Sequence, residues 1–297
     1  MIKDSIQQQI PASEAHIIGV IGDEFSNPYT VKMLNQLTRQ LNARGYLTLL
    51  LNVDSRHSYQ SVLQKARQLQ VDGLIFLATL FSDELLIATE ALPGVPAIHL
   101  SGSLADSEIV SVDGYAAGVE IGRLLLSQGY QRFGYMQGQH RSPTHLRQME
   151  GYTASLDAAE KRLDKVLAAG GDDRQLAYQV MMAYLKQARA SERINALFCE
   201  SDVLAFGAMQ AIRDFGQGTH IGVVGFDDVD EAGSPGWHLT SWAPRCDLQV
   251  TEALNRLLEN RSDNHGAWRQ GELRLRHSHL AKEVQGEMAK CGCASRH

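Results

Sequence analysis

A set of polar and aromatic residues in this sequence stands where apolar runs break into loops, and their types share one chemistry. Asp23 and Phe25 follow the run Ile17-Ile18-Gly19-Val20-Ile21, and Thr79 follows the run that ends at Phe76-Leu77. Asp113 precedes an amphipathic stretch opening at Gly114, Arg147 and Gln148 lie in the next such stretch, and Ser201 and Asp227 follow two further apolar runs. Carboxylates accept pairs of hydroxyl protons, and an arginine fork offers two oriented donors. An aromatic ring covers the apolar face of a sugar. The combination suits holding a small polar molecule rather than transforming one. Each residue also has a local reading. Asp113 and Ser201 are good helix N-caps, and Asp227 can satisfy the amides of its own loop.

Motifs of catalysis and cofactor binding are missing from the sequence. After the first apolar run stands only Gly19-Val20-Ile21-Gly22, not the dinucleotide fingerprint, and there is no phosphate-binding G-x-x-x-x-G-K-[ST] loop. No G-x-S-x-G elbow occurs, and the 11 histidines show no H-E-x-x-H spacing. His99, in an apolar run, reads as a satisfied core residue. The expectation is a non-enzymatic protein with no cofactor and no metal site. Cys199 reads as a small buried hydrophobe. Cys291 and Cys293, with His297 behind them, read as a frayed tail rather than a metal site, which would need a fourth ligand and a framework. A net charge of −6 and the lack of any long Lys/Arg run give no electrostatic pull towards nucleic acid. The start, Met1-Ile2-Lys3-Asp4-Ser5-Ile6, has no apolar signal region, and no stretch approaches the roughly 18 apolar residues of a membrane span. A cytoplasmic protein is expected.

The elements that must position these residues follow a repeating cycle of apolar strand, polar loop, capped amphipathic helix and glycine stop. The first helix takes Asn27 as cap and Pro28 at its first position, carries Val31, Leu34, Leu37 and Leu41 as its stripe, and ends at Arg44-Gly45. Strands are expected at 47–51, 71–77 and 96–100, and helices at 59–69 and, briefly, after Asp83. Asp113 caps a helix over 114–127. The cycle then restarts with strands at 133–136, 196–199 and 220–224, helices within 143–157 and over 175–188, and a helix from Ser201-Asp202 to Phe215-Gly216. A helix over 248–258 and a strand near 272–275 complete the pattern. Alternating βα units imply a parallel sheet with ligand chemistry at the strand ends. Two such halves predict an α/β protein of two similar doubly wound subdomains forming a bilobed clamp.

Several segments resemble the effector domains of the lac-repressor family. Phe25-Ser26-Asn27-Pro28-Tyr29 is similar to the signature after that family's first strand, and Val112-Asp113-Gly114 to its V-D-n segment. Gly129-Tyr130-Gln131-Arg132-Phe133-Gly134 resembles its G-H-r-r-I crossing, and Glu200-Ser201-Asp202-Val203-Leu204-Ala205 its x-N-D-x-x-A segment. Ile221-Gly222-Val223-Val224-Gly225-Phe226-Asp227-Asp228 resembles its I-S-V-V-G-(F/Y)-D-d run, and the matches stay in order over about 16–280. The resemblance implies a periplasmic-binding-protein-like clamp, a homodimer, and regulation of transcription by a small effector, a sugar or sugar derivative. It places Asp23, Phe25, Asp113, Ser201 and Asp227 at the effector, with Tyr29 in the first signature. A free-standing periplasmic-type sugar receptor is the alternative.

Departures from the family pattern are also visible. Where the family has arginine three residues before Gly151, this chain has Gln148, with Arg147 one position earlier, and one residue turns a helix by about 100°. Ser201 replaces the usual asparagine, and Asp173 stands after Gly171-Asp172 where an aromatic is common. Sixteen residues precede Ile17 and show no helix-turn-helix pattern, so operator DNA is expected as a partner only through such a module. The expected division is a tail at 1–15, an N-terminal subdomain of 16–129 with 245–271, a C-terminal subdomain of 130–244 with 272–284, and a flexible tail at 285–297. Dimerisation is expected through the first subdomain. Its candidates are the apolar positions Tyr59, Val62, Leu63, Ala66 and Leu69, and the segment 80–87 with Leu86.

Overall fold

A computed structural model describes residues 16–22, 25–53, 56–77, 94–100, 109–138, 143–216 and 219–281. In chain order the elements are β1 (Ile17–Gly22), α1 (Pro28–Ala43), β2 (Leu47–Asn52), α2 (Arg56–Gln68), β3 (Gly73–Phe76) and β4 (Ala97–His99). They continue with α3 (Gly114–Ser127), β5 (Phe133–Gln137), α4 (Pro143–Asp157), β6 (Leu163–Ala168), α5 (Arg174–Gln187), β7 (Ala196–Cys199) and α6 (Asp202–Phe215). The last are β8 (Gly222–Phe226), β9 (Thr240–Pro244), α7 (Cys246–Glu259) and β10 (Gly271–Arg274). Among the described residues no helix is long and apolar enough to cross a membrane.

The chain forms two units, Met1–Val110 with Cys246–Asn264, and Ser111–Arg245 with His265–His297. The first carries a parallel sheet in the order β2-β1-β3-β4. Its central strand is wholly apolar because helices cover both faces. Asn27 caps α1 by accepting from the Tyr29 N–H at 2.9 Å, with Pro28 behind it. Met33, Leu37 and Leu41 form the buried stripe of α1, whereas Val31 is 52% exposed and lies off it. Tyr59, Val62, Leu63 and Ala66 of α2 pack into the core with Leu74 and Phe76, which takes them out of the candidate dimer surface and leaves Leu69 exposed. Segment 80–87, with Leu86, lies outside the described residues. From the far end of the chain, α7 returns to this unit, where the Gln40 amide donates to the Asp247 carbonyl at 2.9 Å.

The second unit has the sheet order β10-β9-β8-β7-β5-β6, parallel throughout except for β10, which runs antiparallel to β9. Its core joins Phe133, Tyr135 and Phe198 from the sheet to Tyr152 and Leu156 of α4 and to Ala117, Ile121 and Leu125 of α3. α3 belongs to this unit, and the first crossing between the units falls at 110–111. The reason is a backbone-to-backbone helix contact. A Cβ at Gly118 would overlap the Gln148 carbonyl, one at Gly122 the Ser155 hydroxyl, and one at Gly151 the Tyr115 carbonyl. Glycine at these places lets α3 lie directly on α4, as no larger residue could. The other two crossings between the units fall at 245–246 and 264–265.

Candidate functional site

Because the strands of the second sheet are parallel, β5, β6, β7, β8 and β9 all end at one edge. The chain runs from β5 outward to β6 and then returns to the other side as β7, so the strand order reverses between β5 and β7. Open α/β sheets leave a crevice at such a reversal, outside the carboxyl ends of the strands. Helices following these strands start at the same edge, and their unpaired N–H groups make it a place for oxygen-rich side chains.

Ser201 follows β7 at that edge. Its hydroxyl caps α6 by accepting from the Leu204 N–H at 3.3 Å and donates in turn to Asp172 in the loop between β6 and α5. Asp173, next along, caps α5 through the Leu176 N–H at 2.8 Å and is exposed. Asp113 caps α3 through the Ala116 N–H at 3.0 Å, and its own N–H donates to the Arg269 carbonyl at 2.9 Å. That bond seats it beside the start of β10, opposite the carboxyl end of β9. The local capping role foreseen for Asp113 and Ser201 is therefore real. It also fixes their oxygens in place.

Asp227 and Asp228 continue β8 with φ of +102° and +47°, conformations that non-glycine residues rarely adopt. Backbone in such regions costs of order 1–3 kcal/mol and collects at ligand sites. The buried Asp202 holds this turn. Its carboxylate accepts from the Val229 N–H at 2.8 Å and from the Ser241 hydroxyl at 2.6 Å. Ser241 also accepts the Asp228 N–H at 3.0 Å, and Arg276 pairs with Asp228 at 2.7 Å. Burial raises the Asp202 carboxyl to about 7, against the pull of its two hydrogen bonds.

Sequence reasoning missed a neighbouring cluster. Glu200 is 4% exposed and accepts from the Gly138 N–H and, at 3.2 Å, from the Tyr135 hydroxyl. The His145 imidazole on α4 stands 3.7 Å away. Burial pushes the Glu200 carboxyl up, while His145, Gly138 and Tyr135 pull it down. The signal was present in the position of Glu200, a charge directly after the apolar run of β7.

The two candidates on α4 part company. Arg147 is exposed, pairs with Glu150 at 2.6 Å and lies 4.9 Å over the Tyr115 ring. Gln148 is fully buried, and neither its amide nitrogen nor its oxygen has a hydrogen-bond partner among the described residues. In the first unit, Phe25 and Tyr29 follow β1, where a Cβ at Gly22 would strike the Phe25 ring at 2.7 Å. Asp23 and Thr79 lie outside the described residues.

Residues 15–236 match the family described as periplasmic binding proteins and sugar binding domain of LacI family. The chain belongs to this family. The transcriptional repressor PurR of Serratia proteamaculans is 25% identical over 240 residues, covering 77% of this chain and 68% of that protein. Among solved structures, the dimeric Lac repressor with an 11-residue C-terminal deletion superposes with a TM-score of 0.78 at 19% identity, covering 89% of this chain and 99% of that one. A LacI family regulator from Enterococcus faecium with bound ribose gives 0.73 at 21%, covering 88% and 98%. As a LacI-family effector domain, the chain keeps the parallel sheets and the carboxyl-edge loops.

Proposed function

We propose that this chain is the effector-sensing and dimerisation region of a LacI-family transcription regulator, and that it binds a sugar or sugar derivative without transforming it. The observation that carries the reading is the carboxyl edge of the second sheet. There a strained Asp227-Asp228 turn, pinned by the buried Asp202, stands in one row with the Ser201–Asp172 pair. Carboxylates and hydroxyls fixed by backbone bonds accept and donate to ligand hydroxyls without first having to be ordered. Asp113, Asp173 and the buried amide of Gln148 extend this set in the second unit; Phe25 and Tyr29 are the aromatic candidates of the first unit taken by itself. Asp23 and Thr79 follow strands of the first unit in the sequence and belong to the same proposal, as does Arg147.

Regulation follows from linkage. A ligand shifts a conformational equilibrium only by its differential affinity for the two arrangements. In a homodimer that shift would alter how operator DNA is read by a helix-turn-helix module. The reading places the protein in the cytoplasm. Calorimetric titration with a panel of mono- and disaccharides, ribose among them, tests it: at least one should bind and be recovered chemically unchanged. Folded protein that binds none of them, or that converts one, would overturn the proposal.

A further inference from the structure

The opposite edge of the second sheet has a different character. The segments that enter β5, β7 and β8 enclose a cavity of about 530 Å³, lined by Arg132, Arg193, Ile194, Thr219, His220 and Leu280 among others. All of them belong to the second unit. Strands of four or five residues at roughly 3.3 Å each put this cavity some 15 Å from the carboxyl edge. It shares no residue with the effector site and goes beyond that reading.

Its polar lining is made mostly of donors. Arg193 crosses the end of α5, donating to the Leu185 carbonyl at 2.9 Å and the Ala188 carbonyl at 3.1 Å, with its guanidinium 4.6 Å from the Phe215 ring. Arg132 donates its Nε to the Arg193 carbonyl. Among the described residues no carboxylate lies within ion-pair distance of either guanidinium, and no acidic side chain lines the cavity. The Asn195 side-chain oxygen, Oδ1, is taken by the backbone N–H groups of Gln131 and Arg132, at 3.2 and 3.0 Å. The Thr219 hydroxyl is shut off from water and has no partner among the described residues. Ile194, Ile221 and Leu280 supply apolar wall.

A guanidinium without a counter-charge, an unpartnered hydroxyl and an apolar wall together describe a receptor for an anion with an apolar body. We infer that this cavity binds a small organic phosphate, its phosphoryl group on Arg132 and Thr219 and its apolar part against Ile194 and Leu280. Phosphate, with three acceptor oxygens, fits a fork and a hydroxyl together better than a carboxylate does.

Titration of the full chain with phenyl phosphate, inorganic phosphate and benzoate tests the inference. Phenyl phosphate should bind at least tenfold more tightly than either of the others. Arg132→Gln should weaken it at least tenfold, Arg132→Lys less, because the charge stays and the fork is lost, and Thr219→Val about threefold. Far-ultraviolet dichroism of each variant establishes that it is folded, and Thr219→Val, which disturbs no backbone bond, serves if the arginine variants are not. Absence of phenyl phosphate binding, tighter benzoate binding, or full affinity in folded Arg132→Gln or Thr219→Val overturns the inference. The sugar response of Arg132→Gln should equal that of wild type, so failure here and failure of the effector reading give different results.

Discussion

The two edges of the second sheet are built from the same strands and carry opposite chemistry. At the carboxyl edge stand Asp172, Asp173, Glu200, Ser201 and Asp227; at the amino edge stand Arg132, Arg193, Thr219 and His220. Part of the difference follows from the helices. Each runs back against its strand, so helix N-termini gather at the carboxyl edge and C-termini at the amino edge. Asp173 and Ser201 satisfy the first, Arg193 the second. What helix ends do not explain is the surplus: a strained Asp227 turn at one edge, and an Arg132 without a carboxylate at the other. The surplus is where ligand chemistry should be sought.

The largest effect should come from removing the frame that holds both edges. Gly118→Val would drive a side chain into the Gln148 carbonyl, where backbone cannot give way. A loss of about 3 kcal/mol or more is expected in urea unfolding. An unchanged midpoint would show that α3 and α4 are not locked together.

Second comes pH. The folded Asp202 carboxyl is raised to about 7 from 3.8, so the native state holds a proton that the unfolded chain releases. Stability from this group is therefore complete below about pH 4 and declines as pH rises to about 7, by roughly 1.4 kcal/mol per unit at most. Glu200, raised by burial, adds in the same direction. Urea titrations between pH 5 and 8 should show wild type losing stability and Asp202→Asn losing distinctly less; parallel curves would contradict the burial of this charge.

Third, Asp227→Asn keeps a residue tolerant of positive φ and removes only the charge. A ligand bond to a charged group is worth about 1.5–3 kcal/mol, so sugar affinity should fall by roughly 10- to 150-fold while the fold stays intact. Equal affinity would remove Asp227 from the site. The smallest effect belongs to Asp173→Ala, which takes one cap from α5 and should cost about 1 kcal/mol of stability.

Much of this was readable from sequence, for identifiable reasons. Central strands such as β1, β7 and β8 announce themselves because both faces are buried, and the caps Asn27, Asp113 and Ser201 because their side chains serve neighbouring amides. β6 was not legible. As an edge strand it needs apolar contact on one face only, and Asp164 and Lys165 break its run. Nor was β9 expected as a strand. The seating of α3 on α4 was not legible either, because Gly118 and Gly122 show their purpose only when the partner helix lies against them. At the site, sequence spacing left Arg147 and Gln148 open. Helical phase separates them, with Arg147 outward on Glu150 and Gln148 inward and fully buried. Glu200 was overlooked because a lone acid after a strand resembles loop polarity, and only burial against Tyr135 and Gly138 reveals its role.

Hydrogen exchange on the full chain, with and without a saturating sugar from the panel, tests the central claim most directly. The account predicts slower exchange at the carboxyl edge of the second sheet, in the segments around Asp172, Ser201 and Asp227, and unchanged exchange at 130–132, 193–195 and 219–221. Protection confined to the amino edge, or spread over neither edge while the sugar is bound, would contradict it.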